Sequence, residues 1–273
     1  MPLNTPKTKP LFWNKMFKPF FDKDFWDLVK VFVWRELKIK YAQTYLGLFW
    51  MFFPPLMALL VVSFFFGNLM KVSNEIPNYT LFAYSGMLGW FYFSYIISYS
   101  SVSLIQNQEI IQKTAIPRIV FPLAKALTGM IDLAIWFLVA IGLMFVFHIK
   151  IGLMLIFLPL VLFLNFVAGF SIGIWVTAFS IRWRDIYQLV PYIIGFTMLV
   201  TPVFYHMNMV PEHLKIFLYL NPIAGVIELY RYLFLHIPFH NMNFLWGLAL
   251  SFLMLIGGIL FFNKQESIMA EKI

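Results

Sequence analysis

The chain has no cysteine and little charge. Of its 273 residues, 12% are Asp, Glu, Lys or Arg, about half the roughly 25% carried by a soluble domain. Without cysteine there is no disulfide framework, thiolate metal site or cysteine nucleophile. With 62% apolar residues and so few charges, a water-soluble globule is excluded. So is a disordered chain, which needs low hydrophobicity and high net charge. Nucleotide-binding machinery is missing too. There is no G-x-x-x-x-G-K-[ST] loop and no Gly-Lys pair from which to build one, so ATP hydrolysis by that route is excluded. No H-E-x-x-H is present, and although His236 and His240 share i,i+4 spacing, no acid joins them. That pair, with His148, His206 and His213, reads as interfacial polar residues rather than metal ligands.

What the chain does have is long apolar runs. Crossing a hydrocarbon core of about 30 Å takes roughly 20 apolar residues in a helix. Six stretches qualify, at about Leu48–Phe66, Leu81–Leu104, Ala126–Phe147, Ile151–Phe179, Gln188–Tyr205 and Phe244–Phe262. They are too continuously apolar for barrel strands, which alternate with period two. Backbone in lipid must satisfy its own hydrogen bonds, so these stretches are helices. The expected fold is an all-α polytopic membrane bundle of six transmembrane helices. It divides into an N-terminal arm at 1–47, a transmembrane domain at 48–262 and a tail at 263–273.

Orientation follows from the flanking Lys and Arg. Of 20 such residues, only Lys71, Lys150, Lys215 and Arg231 fall on one side; the other sixteen fall on the opposite side. That split places both termini in the cytoplasm and makes the net charge of +8 a topology signal. The charge is dispersed over short loops, which argues against nucleic-acid binding. The first long apolar run starts near Leu46, too far in for a cleavable signal peptide. Pro2, Pro6, Pro10 and Pro19 keep the start of the arm irregular.

Three flanking segments carry more pattern. Asp24–Gln43 reads as an amphipathic helix, with Phe25, Trp26, Leu28, Val29, Phe32, Val33 and Leu37 on one face and Asp24, Asp27, Lys30, Arg35 and Lys38 on the other. Glu36 breaks the apolar face. The helix suits the membrane–water interface, either as an anchor or as an in-plane helix that also touches a cytoplasmic partner. The loop from Ile105 to Pro122 can form a short polar helix over Gln106–Lys113, ended by Pro117. As the longest internal cytoplasmic loop, it is either a docking element or a solvated connector. The outer segment His206–Asn243 holds apolar runs Ile216–Leu220 and Ile223–Leu235, broken by Asn221-Pro222. Two short helices dipping into the outer leaflet fit it, and these survive only when packed on protein or lining a wet cavity.

Within the spans, Gly169-Phe170-Ser171-Ile172-Gly173 matches G-x-S-x-G, but a nucleophile elbow needs a strand–turn–helix context. The same glycines form G-x-x-x-G, which lets helices pack closely in lipid. Asp132 is the one acid well inside a span, on the same face of the third helix as Lys125 and Thr128. Pairing with a Lys or Thr near the headgroups and a gating role are the two readings. Glu228 and Arg231, at i,i+3, are expected to pair. Aromatics recur through the first, second and fifth spans. Tyr95, Tyr99 and Tyr192 need hydroxyl partners and should face protein or a wet path. With Trp50, Phe53, Phe196 and Tyr205 they are candidates for a path suited to sugars, whose C–H faces stack on rings.

Taken in order, these features resemble the permease subunit of type-2 ABC exporters for cell-surface polysaccharides. Arg35, Leu37, Lys38, Lys40, Tyr41, Thr44, Leu46, Gly47 and Trp50, then Pro54-Pro55, are similar to that family's R-x-[LI]-K-x-[RK]-Y-x-x-[ST]-x-L-G-x-x-W…P. Asn107, Ile111, Lys113, Pro117-Arg118 and Pro122-Leu123 resemble N-x-x-L-[IV]-x-K-x-x-[FI]-P-[RK]…P-L, with Ile110 in place of the usual Leu. Arg184-Asp185-Ile186 and, farther on, Asn221-Pro222 and Arg231 match later motifs.

The resemblance implies a homodimer completed by two ABC ATPase subunits. ATP and Mg would sit on those subunits, with no cofactor on this chain and no enzymatic activity of its own. It implies an ATPase-coupling helix whose residues include Gln106, Asn107, Gln108, Glu109 and Lys113, with Arg118 beside it. It also implies an in-plane connecting helix with Trp34, Arg35, Lys38 and Tyr41, and an outer gate around Asn221, Pro222, Glu228 and Arg231. The implied activity is export of lipid-linked polysaccharide across a bacterial plasma membrane, with O-antigen for lipopolysaccharide first and capsule or teichoic acid next. Alternatives are a drug- or lipid-efflux permease of the same superfamily and, from another class, a membrane-embedded glycolipid enzyme. The last would need a cluster of acids or histidines at one membrane face.

Overall fold

A computed structural model of the chain describes residues 22–42, 49–65, 76–114, 116–183, 185–239 and 242–269. The side chain of Trp50, motif positions 44–48, Arg184 and His240 lie outside the described residues, as do the proline-rich start and the last residues of the tail. The described residues form helices joined by short turns. These are α1 (Lys23–Leu37), α2 (Phe49–Val62), α3 (Tyr79–Gln106), α4 (Gln108–Lys113), α5 (Val120–Val146), α6 (Leu158–Arg182), α7 (Asp185–Val200), α8 (Glu212–Leu220), α9 (Pro222–Leu235) and α10 (Leu245–Met269). A π turn, Lys38–Ala42, continues α1. A 3-10 turn, Leu153–Phe157, leads into α6.

Among the described residues, four helices are long and apolar enough to cross a membrane: α3, α5, α6 with its leading turn, and α10. They are the expected second, third, fourth and sixth spans, and they make the chain a multi-pass membrane protein. The described helices in the expected first and fifth spans are shorter than these four. α2 has 14 residues, continued by a π turn to Phe65. α7 has 16, which at 1.5 Å per residue is about 24 Å, short of a core of about 30 Å. α7 ends at Val200 rather than Tyr205 because Pro202 follows. Proline supplies no N–H to continue the ladder and biases the residue before it away from helix.

α3 is the axis of the bundle. It packs against α5, α6 and α9, and 61% of its central window is buried against 33% for each of the other three long helices. Every residue from Leu81 to Trp90 is buried. The remaining long helices leave apolar side chains on their outer faces, as lipid contact requires. The G-x-x-x-G pair is a packing device. A Cβ on Gly169 would stand 2.8 Å from Ile96 Cδ1 and 3.1 Å from Ile96 Cβ of α3, so any larger residue would have to displace Ile96. Ser171 between them is fully buried and donates to the Ala168 carbonyl at 2.8 Å, leaving no exposed nucleophile.

Candidate functional site

At the C-terminal end of α3, helix α1 lies along α5. Its buried stripe is Phe25, Val29, Phe32 and Glu36, at helical steps of four, three and four. Trp26 and Trp34 face outward instead, 40% and 61% exposed. The ring of Phe32 meets Phe121 of α5 edge-on at 4.9 Å. Glu36, the apparent flaw in the apolar face, is on the buried stripe because α5 offers it a cation: Lys125 Nζ lies 2.6 Å from Glu36 Oε2.

Two turns farther along α5, Asp132 is held by two residues of the π turn. Lys40 pairs with one carboxylate oxygen and the Tyr41 hydroxyl donates to the other. The lone intramembrane acid thus has a lysine partner, but one from the arm rather than from its own helix. Burial, then the adjacent Asp132, push the Tyr41 hydroxyl well above the usual phenol range, so it stays a donor.

The arm also reaches the short helix α4. Arg35 donates to the Asn107 side-chain oxygen at 2.6 Å, and Asn107 donates its amide to the Ser103 carbonyl at 2.8 Å. Asn107 is the break between α3 and α4. The helix expected over Gln106–Lys113 therefore splits, with Gln106 closing α3 and Gln108–Lys113 forming α4. Glu109 and Lys113 are exposed, Gln108 is half-buried, and no α4 side chain is buried. Arg118 is turned inward to the last turns of α10. Its backbone N–H donates to the Glu266 carboxylate and its guanidinium to the Glu266 carbonyl, both at 3.0 Å. Lys38 sits 5.4 Å over the Trp34 ring on the outer face of the arm.

Between these elements is a polar cavity of about 380 Å³ whose walls include Arg35, Lys40, Tyr95, Tyr99, Asn107 and Lys125. Tyr95 and Tyr99 lie against each other at 4.3 Å. Lys40 Nζ stands 4.6 Å from the Tyr95 ring centre and Lys125 Nζ 6.0 Å from that of Tyr99, placing cations over aromatic faces. Gly129 of α5 makes room for this, since a side chain there would run into the Tyr95 ring.

The opposite end of α3 carries a second cluster. Asn221 caps α9 by accepting from the Ile223 N–H at 3.2 Å and donates to Thr201 Oγ1 at 2.9 Å. Pro222 follows in the first turn of α9, where its missing N–H costs nothing. Glu228 and Arg231 pair at 2.8 Å, as their spacing suggests. Arg231 is fully buried and donates to the carbonyls of Pro202 and Val203 at 2.7 and 2.9 Å. Its guanidinium carbon sits 3.8 Å from the Phe82 ring centre. The Tyr79 hydroxyl donates to the Phe204 carbonyl at 3.2 Å. The turn that ends α7 is thus bound to both α9 and α3. The His206 ring lies tilted against Phe82 beside it, 4.8 Å between centres. Its imidazole is held below the usual range by burial and then by the Arg231 charge, with Glu228 opposing.

Of the aromatic path candidates among the described residues, one chain brings together Tyr95 and Tyr99. Tyr192 and Phe196 lie on the outer face of α7, 70% and 73% exposed. Phe53 faces outward from α2 beside Phe49, at 5.9 Å. Tyr205, at the far end, donates to the Val200 carbonyl. Glu36, Lys40 and Lys125 are not among the coupling, path or gate candidates read from the sequence, and Asp132 is read there as pairing with a Lys or Thr or as gating; the four form the ion pairs that join the arm to α5. The off-pattern acid in α1 and the lone acid in α5 were the available signals.

A protein-family model described as ABC-2 type transporter matches residues 27–235, from α1 to the end of α9. The chain is similar to the O-antigen export system permease protein RfbA of Klebsiella pneumoniae, at 29% identity over 248 residues, or 90% of this chain and 94% of that protein. It is similar to a second Klebsiella pneumoniae protein of that name at 28% over 250 residues. It is also similar to the Myxococcus xanthus protein of the same name at 24% over 248 residues, 88% of this chain and 93% of the relative.

Proposed function

The chain belongs to the ABC-2 type transporter family, and from that membership we propose that it is the membrane permease of an ATP-driven exporter of lipid-linked polysaccharide, with O-antigen for lipopolysaccharide as the cargo. The observation that carries the cargo assignment is similarity over about nine tenths of the chain to relatives named as O-antigen export permeases. In this reading two copies of the chain form a homodimer in the bacterial plasma membrane, with both termini cytoplasmic. Six spans cross the bilayer, α2 and α7 being the short ones, and α8 and α9 are re-entrant from the outside. ATP and Mg reside on two ABC ATPase subunits, and this chain turns over nothing itself. The arm at 1–47, the transmembrane domain at 48–262 and the tail at 263–273 keep separate roles: coupling, passage and bracing.

The mechanism follows from how the arm is wired. α4 exposes Glu109 and Lys113 to the ATPase, while Asn107 at its root is bonded to Arg35 of α1. A push on α4 is delivered to α1 through that bond. From α1 it reaches α5 through Glu36–Lys125 and Lys40–Asp132. Buried ion pairs are costly to break once formed, so α1 and α5 move as one body. On this reading the turn clamped by Arg231 is the outer closure, and the Tyr95 and Tyr99 rings are the inner stacking surface for sugar.

The test is purification with and without the ATPase subunit. The chain is expected to copurify with an ATPase and to hydrolyse no ATP alone; hydrolysis by the isolated polypeptide overturns the assignment. In the complex, Lys113→Glu is expected to lower cargo-stimulated ATP turnover by about tenfold, the scale of losing one charge-assisted contact of roughly 1.5 kcal/mol. Unchanged turnover removes α4 from the docking role.

A further inference from the structure

The cavity beneath α1 has a charge imbalance. Around it stand three cations, Arg35, Lys40 and Lys125. Two of them are matched by carboxylates, Lys40 by Asp132 and Lys125 by Glu36. Arg35 bonds to the neutral amide of Asn107, so the site carries one positive charge in excess. A guanidinium with donors to spare is the group best shaped for phosphate oxygens.

The cavity does not end at the polar wall. Tyr95 and Tyr99 also line a second, more open groove of about 230 Å³, whose other walls include Pro54 of α2, Phe91 of α3 and Trp136 of α5. This groove is largely apolar and faces outward between the helices. A cationic polar chamber and an apolar groove thus share one aromatic partition. Trp26 and Trp34 of α1 are outward and exposed, and tryptophan is the residue enriched at headgroup depth. A ligand that fills both compartments has a singly negative head and an apolar tail.

We propose that this composite site binds an anionic phospholipid of the surrounding bilayer, with its phosphodiester at Arg35 and an acyl chain in the groove along Pro54, Phe91 and Trp136. The lipid would then touch α1, α3 and α5 together, beside the Arg35–Asn107 bond. The proposal does not depend on what the protein transports.

The test is native mass spectrometry of the full chain in detergent, titrated with phosphatidylglycerol, phosphatidylcholine or inorganic phosphate. One phosphatidylglycerol is expected to bind about tenfold more tightly than phosphatidylcholine, and equimolar inorganic phosphate should not displace it. Arg35→Gln keeps a donor for Asn107 but removes the excess charge. Gln106→Glu adds a carboxylate at an exposed position on the cavity rim. Each is expected to weaken phosphatidylglycerol binding by about fivefold, the effect of one basic charge near a membrane surface, and to leave phosphatidylcholine binding unchanged. If Arg35→Gln does not fold, Gln106→Glu decides. Equal retention of the two lipids, or full selectivity in the variants that fold, overturns the proposal. Displacement by inorganic phosphate overturns the role of the groove.

Discussion

Arg231 heads the fully buried side chains of the described residues by volume, and a guanidinium without solvent must be answered on several sides. Glu228 supplies the charge, two backbone carbonyls accept, and Phe82 offers its ring face. Removing the cation leaves a buried carboxylate and two carbonyls unpartnered. Arg231→Ala is therefore expected to destabilise the chain by about 3–5 kcal/mol, seen as a lower thermal midpoint in detergent. An unchanged midpoint would mean the clamp bears no weight. His206 adds a pH dependence. Its folded pKa lies below its ordinary value of 6.5, so the unfolded chain takes up the proton first as pH falls. The stability contributed by the neutral ring is present above about 6.5 and is lost as pH drops below it toward the folded value. Between pH 7.5 and 5 the thermal midpoint should fall more in the parent than in His206→Gln, and parallel curves would assign the dependence elsewhere.

At the scale of elements, α1 is the informative one. Its existence and amphipathic character were legible from the spacing of Phe25, Val29 and Phe32. The width of its buried face was not, because periodicity cannot say whether Trp26 and Trp34 meet protein or lipid. Glu36 looked like an error in the pattern until the partner helix was in place, since ion pairs 89 and 92 residues apart leave no local trace. The Glu36–Lys125 pair gives a direct test. Glu36→Gln alone should lower the thermal midpoint and the ATP-coupled export rate, and the exchange Glu36→Lys with Lys125→Glu should restore most of both. If the exchange is no better than the single change, the pair does not join α1 to α5.

For the molecule as a whole, hydropathy located the four long apolar helices and also the two shorter ones, α2 and α7. The reach of α7 was overestimated, because counting apolar residues runs straight through Pro202. Its outward face, with Tyr192 and Phe196, and the separation of the other aromatics mean that the described path candidates do not converge inside one chain. That fits a passage completed by a second copy, and the missing cysteines make it easy to probe. A single Phe196→Cys is expected to cross-link into a dimer in membranes under mild oxidation, whereas Leu253→Cys, equally outward on α10, should not. Equal cross-linking at both would reflect random collision rather than an interface. The short α7 has a further consequence, which concerns the membrane more than the protein. A helix of about 24 Å beside a hydrocarbon layer of about 30 Å is answered by local thinning, at a fraction of a kcal/mol per ångström. The headgroup plane would dip by several ångström toward the turn at 201–205. The lipid bilayer would then be shallowest beside the turn that Arg231 holds, where a bulky polar cargo bound to a lipid anchor would have the least distance to climb.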